Sequence, residues 1–460
     1  MYSLKKYRRF LTKNERNKVY LKKNKIAGRM LADSKYRTKK VLAEAGVGVP
    51  ELIKRFTSAK EVDNFAWEEL EGNFVIKPVS GLGGRGIIVV RKRAKWAGEW
   101  HLMDGSIITM ADIKRHCGEI LSGRFSIHGM GGSVLLEERI KIHPVFLALT
   151  RWGTPDIRVI VYKRIPIMAM LRVPTEKSGG KANLEQGAMG LGVDLATGIT
   201  TFGIVGKGEE INSIYDHKRK KKRKVNGIKI PFWREILETA VKCQIAVPDL
   251  EFLGVDIVLD KEKGPMVLEV NARSGLSIQI CNKAGLKARM NKIEDLDVKS
   301  VNHGVTLAKY LFAEDFFEKV EDKAAKKIIE PLEIIKIKVG KKKKNVIEVR
   351  AKVDTGAFRS SIDDVLAADL GLLKEDNILY YRHYRSSLGK HKDRPVIGIT
   401  FWLKDKRVMT TVSVASRHKL RTKFLLGRKD LDGFLVSAQR TGEKVLSDKK
   451  RKLEIKKIKN

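Results

Sequence analysis

Apolar and polar positions alternate along this chain in two rhythms. From about residue 31 to residue 322 helical spacing is interleaved with short apolar runs. Ser34 to Ala45 reads as a helix stopped by Gly46, with Pro50 beyond. Phe74–Lys77 and Ile87–Val90 are apolar runs of strand length. Asp156–Tyr162 and Pro166–Val173 read as paired strands, and Phe232–Gln244 as an amphipathic helix. Gly254–Asp260 and Met266–Asn271 form a hairpin that turns at Lys261–Pro265, and Thr306–Val320 is helical. Asp322–Lys327 is charged and Pro331 stops any helix, so residues 323–332 read as a linker. Beyond it the period becomes that of strands. Ile334–Val339 and Val346–Val353 make a hairpin over Lys341–Asn345, and residues 333–440 read as an all-β domain. Residues 1–30 form a basic leader or first helix, and 441–460 a basic tail. No internal repeat is visible.

Composition narrows the class. With 43% apolar residues among 460 the chain can bury sizeable cores. No apolar run reaches the roughly 18 residues needed to cross a membrane. Met1–Arg9 is basic but no apolar stretch follows, so no signal peptide is read and a cytosolic location is expected. The three cysteines, Cys117, Cys243 and Cys281, are far apart and read as buried thiols rather than a disulfide or zinc framework. The net charge of +39 draws nucleic acid, ribosomes, anionic membranes or acidic peptides. That charge is spread along the chain, as a lysine-rich proteome or a saline cytosol would also produce. Its sharpest cluster, Lys218–Lys224, is seven basic residues in a row. It reads as a solvated loop, with no RNA-binding module or aromatic stacking platform beside it.

Candidate chemistry enters with the glycines. Gly81, Gly83, Gly84 and Gly86 match a phosphate-loop spacing, but the loop leads into a β-branched strand and not a helix. That excludes a dinucleotide-binding turn and leaves a strand–loop–strand flap whose N–H groups can close over phosphates. Kinase catalytic motifs are missing. Lys77, ending an apolar strand before that flap, needs a charge partner, and a nucleotide phosphate would supply one. Glu269 and Asn271 alternate onto one face of their strand, and the hairpin sets Asp256 opposite Glu269 within one residue of register. Three hard oxygen donors on one face suit Mg²⁺ or Mn²⁺.

In this order, Lys77-Pro78, the glycine loop, Asp156-Ile157-Arg158, Gly254-Val255-Asp256 and Glu269-Val270-Asn271 resemble the ATP-grasp superfamily. They are most similar to the RimK-type α-L-glutamate ligases and their related branch, over about residues 25–315. The stretches Ala169–Pro174, Gly180–Leu184 and Glu269–Leu276 strengthen the likeness. The resemblance implies two α+β subdomains clasping ATP. It implies that Lys39 (or Lys35) and Lys77 contact ATP phosphates, and that Glu137 and Glu138 sit at the hinge over adenine and ribose. It also implies that Asp256, Glu269 and Asn271 hold the metal, and that Arg172, Lys181 and Asn183 face the transferring phosphoryl group. RimK-type enzymes usually carry arginine where Lys181 stands here, which weakens that one assignment.

In the second domain Asp354-Thr355-Gly356 ends an alternating strand, and Leu425-Leu426-Gly427 is the apolar element that backs a catalytic loop in retropepsins. With Arg385–Gly389 and Leu425–Leu431, this resembles the RimB-like family over about 333–440, known as ATP-dependent zinc proteases. His383 and His391 have no companion ligands at zinc spacing, so zinc is not expected. A small retropepsin-like barrel follows, in which Asp354 is catalytic and two chains supply the dyad through a homodimer.

The reading is an ADP-forming carboxylate–amine ligase that adds an amino acid, such as glutamate, to a peptide or protein carboxylate, with an appended aspartic-protease-like domain. Two alternatives stand beside it. One is an aspartic peptidase with an ATP-dependent recognition domain; the other is a basic ribosome- or RNA-associated binding protein.

Overall fold

The computed structural model describes residues 9–80, 85–125, 132–313, 327–340, 345–385 and 391–437. The chain divides into two compact units, residues 1–320 and 321–460.

The first unit holds two sheets. Strands β1 (Leu52–Phe56), β2 (Phe74–Pro78), β3 (Ile88–Arg93), β4 (Glu99–Leu102), β5 (Ile107–Thr109) and β6 (Val134–Glu138) form one, in the order β1-β6-β2-β3-β4-β5. Its apolar face packs on the helix Met110–Leu121, which Thr109 and Asp112 start with a reciprocal capping box. Trp67, Phe74 and Trp100 are fully buried there.

The second sheet contains β7 (Asp156–Tyr162), β8 (Ile165–Val173), β9 (Met189–Val193), β10 (Thr200–Val205), β11 (Glu209–Ile211), and then β14 (Phe252–Asp260) and β15 (Gly264–Asn271). Its order is β11-β10-β9-β8-β7-β14-β15. Between β11 and β14 the chain forms a separate hairpin of β12 (Ser213–Asp216) and β13 (Lys221–Lys224). Every residue of β8 and β14 is buried, because the helices Trp233–Ala246 and Val301–Leu311 cover the sheet. β7 and β8 are joined by Lys163 and Arg164, both left-handed at φ 49° and 61°, a two-residue turn whose twist matches that of the strands. The helix Lys35–Glu44 begins at Ser34, whose side chain accepts from the Arg37 N–H, and ends at Ala45 before left-handed Gly46.

The second unit is a β-barrel. Strands β17 (Leu332–Lys338), β18 (Val346–Asp354), β19 (Ser361–Asp363), β20 (Ile378–Arg385), β21 (His391–Leu403), β22 (Lys406–Ala415) and β23 (Phe424–Gly427) run in the order β17-β18-β23-β19-β22-β21-β20. β17 also pairs with β21, so six strands close into a ring and β20 extends it from β21. Ile335, Ile337, Phe401 and Phe424 fill the interior of the ring. Within the stretch expected as a linker, β16 (Lys327–Ile329) instead pairs in parallel with β24 (Phe434–Val436). The tail beyond residue 437 and most of the Lys341–Asn345 turn lie outside the described residues. Among the described residues no helix is long and apolar enough to cross a membrane.

Candidate active site

β14 and β15 pair within the one-residue margin expected, a bulge at Asp256–Ile257 setting Asp256 opposite Glu269 and Gly254 opposite Asn271. A Cβ at Gly254 would stand 2.0 Å from the Ser274 hydroxyl oxygen, so this strand must carry glycine where the turn after Asn271 folds back. Asn271 Nδ2 donates to Glu269 Oε1 at 2.9 Å and, more weakly, to Asp256 Oδ2 at 3.3 Å. Lys35 Nζ lies 3.7 Å from Glu269. The three oxygen-bearing groups therefore share one face.

Asp256 lies in a wholly buried strand and must be paired. β7 pairs beside β14 with Arg158 opposite Asp256, and β8 pairs with β7 so that Arg172 stands opposite Asp156. Arg158 donates to both Asp256 oxygens at 2.7 and 2.6 Å. Arg172 donates to both Asp156 oxygens at 2.5 and 2.7 Å, and to Asp256 at 2.7 Å. Burial raises the Asp256 carboxyl, but Arg158 and Arg172 outweigh it and hold it below the usual carboxylate range. Burial pushes Asp156 up to about 7, with Arg172 opposing and Asp256 adding to the rise. Arg172, expected at a phosphoryl group, is buried and hydrogen-bonded to these two carboxylates. Arg158 was not singled out from sequence, although its alternation with Asp156 on one strand was there to be read.

A second cluster lies where β2 meets β6 and the helix Lys35–Glu44. The β2–β6 register sets Val75 opposite Glu137. Lys39 Nζ reaches the Glu137 oxygens at 2.8 and 2.6 Å, and Lys77 Nζ reaches one of them at 2.5 Å. All three are buried. Lys77 thus has a charge partner in Glu137, which lies buried between two lysines. Burial, then the neighbouring Lys77, drives the Lys39 ammonium well below its ordinary value. Burial raises Glu137, but Lys77 and Lys39 outweigh it and the net pull is down.

Lys39 and Glu137 of this cluster wall a cleft of about 630 Å³, lined also by Val49, Leu135, Met266 and the outer pair Glu138 and Lys263. Lys263 Nζ meets both Glu138 oxygens, at 2.7 and 2.6 Å. An apolar floor with cations on one side suits a flat base with a charged tail.

The remaining predicted residues are more scattered. Gly81, Gly83 and Gly84 lie outside the described residues. Gly86 is left-handed at φ 72°, and a Cβ there would meet the Phe125 ring at 2.7 Å. Lys181 and Asn183 sit in the loop that leaves β8. Asn183 caps the short helix Leu184–Gln186, its Oδ1 accepting from the Glu185 N–H at 3.1 Å. Among the described residues no hydrogen bond or ion pair ties Lys181 or Asn183 to Arg172 or Asp256.

In the barrel, Asp354 ends β18 opposite Gly427 of the parallel strand β23. Its Oδ1 accepts from the backbone N–H groups of Gly356 and Ala357 at 3.0 and 3.1 Å. Thr355, next to it, is exposed. Gly427 is required by close approach, since a Cβ there would lie 2.3 Å from the Arg359 carbonyl carbon. Ser360 Oγ accepts from the Gly427 N–H at 3.0 Å and bonds Asp430. Residues 386–390 are outside the described residues, and His383 pairs with Asp393. No group of three or more His, Cys, Asp or Glu side chains among the described residues is placed to hold a metal.

The model of the sugar-transfer associated ATP-grasp family matches residues 14–295. The chain belongs to that family. No curated protein matches this sugar-transfer associated ATP-grasp chain. Among solved structures it is similar to the ATP-grasp ligase PsnB complexed with minimal precursor, at 17% identity, covering 58% of this chain and 61% of that one, with a TM-score of 0.31. It is also similar to the D-cycloserine synthetase DcsG, at 14% identity over 59% and 73% of the two chains, with a TM-score of 0.33. A Legionella pneumophila protein of unknown function, Lpg0085, matches at 20% identity over 24% of this chain and 93% of that one, with a TM-score of 0.17. The chain spans about three-fifths of the length of PsnB.

Proposed function

We propose that the chain is an ATP-dependent carboxylate–amine ligase of the RimK-related kind, joining an amino acid such as glutamate to a peptide or protein carboxylate. The observation that carries this is the convergence of Asp256, Glu269 and Asn271 on one face, with the buried Arg172 and half-buried Arg158 behind them.

The donor set fits a hard divalent cation. Glu269 and Asn271 are partly exposed on that face and offer carboxylate and carboxamide oxygens. Mg²⁺, when bound, neutralises charge on the phosphates and on the phosphoryl group in transfer. The protein's own groups do the rest. The cleft between Leu135 and Met266, which Lys39 also lines, takes the purine, and Lys39 with Lys77 beside it on Glu137 serves the phosphates. Glu137 holds those two lysines together. Lys35 stands 3.7 Å from Glu269, with Arg158 and Arg172 bonded to Asp256 behind the same face, and together these cations offset negative charge as it develops on the γ-phosphoryl. A carboxylate resists amine attack; as an acyl phosphate it has a good leaving group, and the amine displaces phosphate to leave an amide.

The barrel serves as an aspartic-protease-like module, with Asp354 presented by a backbone-held loop. Its second carboxylate comes from another copy.

The test is nucleotide product analysis with single amino acids and short peptides as co-substrates. ADP and phosphate should appear in step with amide. AMP and pyrophosphate as stoichiometric products would sink the acyl-phosphate mechanism and favour adenylation.

A further inference from the structure

The basic run Lys218–Lys224, expected as a solvated loop, is folded. β12 and β13 pair antiparallel, Ser213 with Lys224 and Asp216 with Lys221, and Lys220 takes the left-handed turn position at φ 52°. Asp216, the carboxylate within the hairpin, is engaged by it. Its Oδ1 accepts from the N–H groups of Lys218 and Arg219 at 3.1 and 2.9 Å, and its Oδ2 faces Arg223 at 3.4 Å. One carboxylate among seven cations leaves the hairpin strongly positive.

The base of this hairpin walls a second cleft of about 240 Å³, separate in its lining from the first. Trp152 and Tyr215 line it and are 46% and 45% exposed. Ile214, Met189 and Pro174 supply apolar lining. His217 lines it as well. Its ring stands edge-on to Tyr215 at 5.0 Å, and its Nδ1 is buried with no hydrogen-bond partner among the described residues. Burial, then Arg151, lowers the His217 pKa against the pull of Asp216, so the imidazole is neutral at pH 7. The aromatic platform that sequence reading found missing is thus assembled from Trp152 and Tyr215, 63 positions apart, beside the basic run.

Exposed rings seek a flat partner, a buried imidazole nitrogen seeks a polar edge, and the hairpin seeks negative charge. We propose that this cleft and hairpin bind single-stranded nucleic acid, with one base against Trp152 and Tyr215 and the phosphates along Lys218–Lys224. A nucleotide carries all three features on one unit. An acidic polypeptide offers charge without a ring, and a neutral sugar offers a face without charge. The cleft is smaller than the roughly 300 Å³ at the lower end of drug-sized pockets, which suits a single base on a strand that continues outside. The proposal does not depend on the ligase reading.

The test is fluorescence anisotropy of the full chain with a labelled oligouridine of about a dozen nucleotides, at physiological salt and across a salt series. An abasic oligomer of equal charge and polyglutamate serve as competitors. Trp152→Ala should weaken oligouridine binding by roughly 5- to 150-fold, the worth of one stacked base, and leave binding of the abasic oligomer unchanged. Trp152→Phe should restore most of it. Replacing Lys221, Lys222 and Arg223 by Gln should weaken both ligands alike and flatten the salt dependence. Tyr215→Ala gives the same readout if Trp152→Ala loses its circular dichroism. Equal binding of oligouridine by wild type and Trp152→Ala, or competition by abasic oligomer or polyglutamate as strong as by oligouridine, overturns the proposal in favour of charge alone.

Discussion

Glu137 lies buried between Lys39 and Lys77, and each of the three is tolerable there only because of the others. Removing the anion leaves two ammonium groups in a poorly solvated place. Glu137→Gln should therefore cost about 3–5 kcal/mol of stability, read from the midpoint of a denaturant melt, whereas Glu138→Gln at the exposed rim should cost under about 1 kcal/mol. Equal effects would show that burial does not govern the cluster. Glu269 and Asn271 pose the complementary case. They are partly exposed, so Glu269→Gln or Asn271→Asp should leave the fold intact and lower ATP turnover by about 100-fold or more, the worth of several kcal/mol of charge compensation. A Glu269→Gln enzyme with wild-type phosphate release would remove the metal assignment.

At the scale of elements, the second sheet is held by close backbone approaches. β9 passes under the helix Ile278–Asn282 so closely that a Cβ on Gly192 would stand 2.1 Å from the Cys281 carbonyl oxygen. Gly192→Ala must push helix from sheet and should destabilise by about 1–3 kcal/mol, visible in a thermal or denaturant melt. The N-terminal segment is tied down differently. Lys23 bonds the Tyr162 hydroxyl and Glu294 at 2.6 and 2.7 Å, and the Tyr162 hydroxyl donates to Glu294 at 2.7 Å. Burial raises the Glu294 carboxyl, but the bonds from Lys23 and Tyr162 outweigh it and its pKa is lowered from 4.5. A depressed carboxylate stabilises fully above its unfolded value and loses that contribution as pH falls through the folded one. Hydrogen exchange of residues 11–24 should accordingly quicken as pH drops below about 4.5, relative to the core strand β8 and after correction for the intrinsic rate; Glu294→Gln should abolish this step.

For the whole molecule the issue is what two separate cores can each do. The barrel is closed and has its own interior, yet it carries a single Asp-Thr-Gly loop. Aspartic-protease chemistry needs two carboxylates sharing a proton, one as base on water and one as acid. An isologous two-fold contact brings two copies of Asp354 together most economically. Peptidase activity should therefore appear only in dimers by sedimentation, with two separated apparent pKa values, and vanish in Asp354→Asn. A strictly monomeric chain that still cleaves peptides, or an active Asp354→Asn, refutes the dyad. A monomer without cleavage points to a peptide-binding remnant serving the ligase.

Alternation within single strands was enough to put Glu269 and Asn271 on one face. The short turn at Lys261–Pro265 was enough to bring Asp256 within one residue of Glu269, and a bulge at Asp256–Ile257 sets the two opposite. The helix starting at Ser34, the β-rich second unit and the position of Asp354 at a strand end were equally readable, because caps, turns and periodicity act over a few residues. What strand order alone decides was not readable. Lys77 meets Glu137 only because β6 inserts between β1 and β2, and Arg158 meets Asp256 only because β14 returns beside β7, 98 positions away in sequence. The same holds for the ring of strands closed by β17 and β21, and for Trp152 beside Tyr215. Local backbone preference carries no information about such pairings. They follow from burying the apolar faces of whole sheets, and the buried charges then take whichever partners that burial brings within reach.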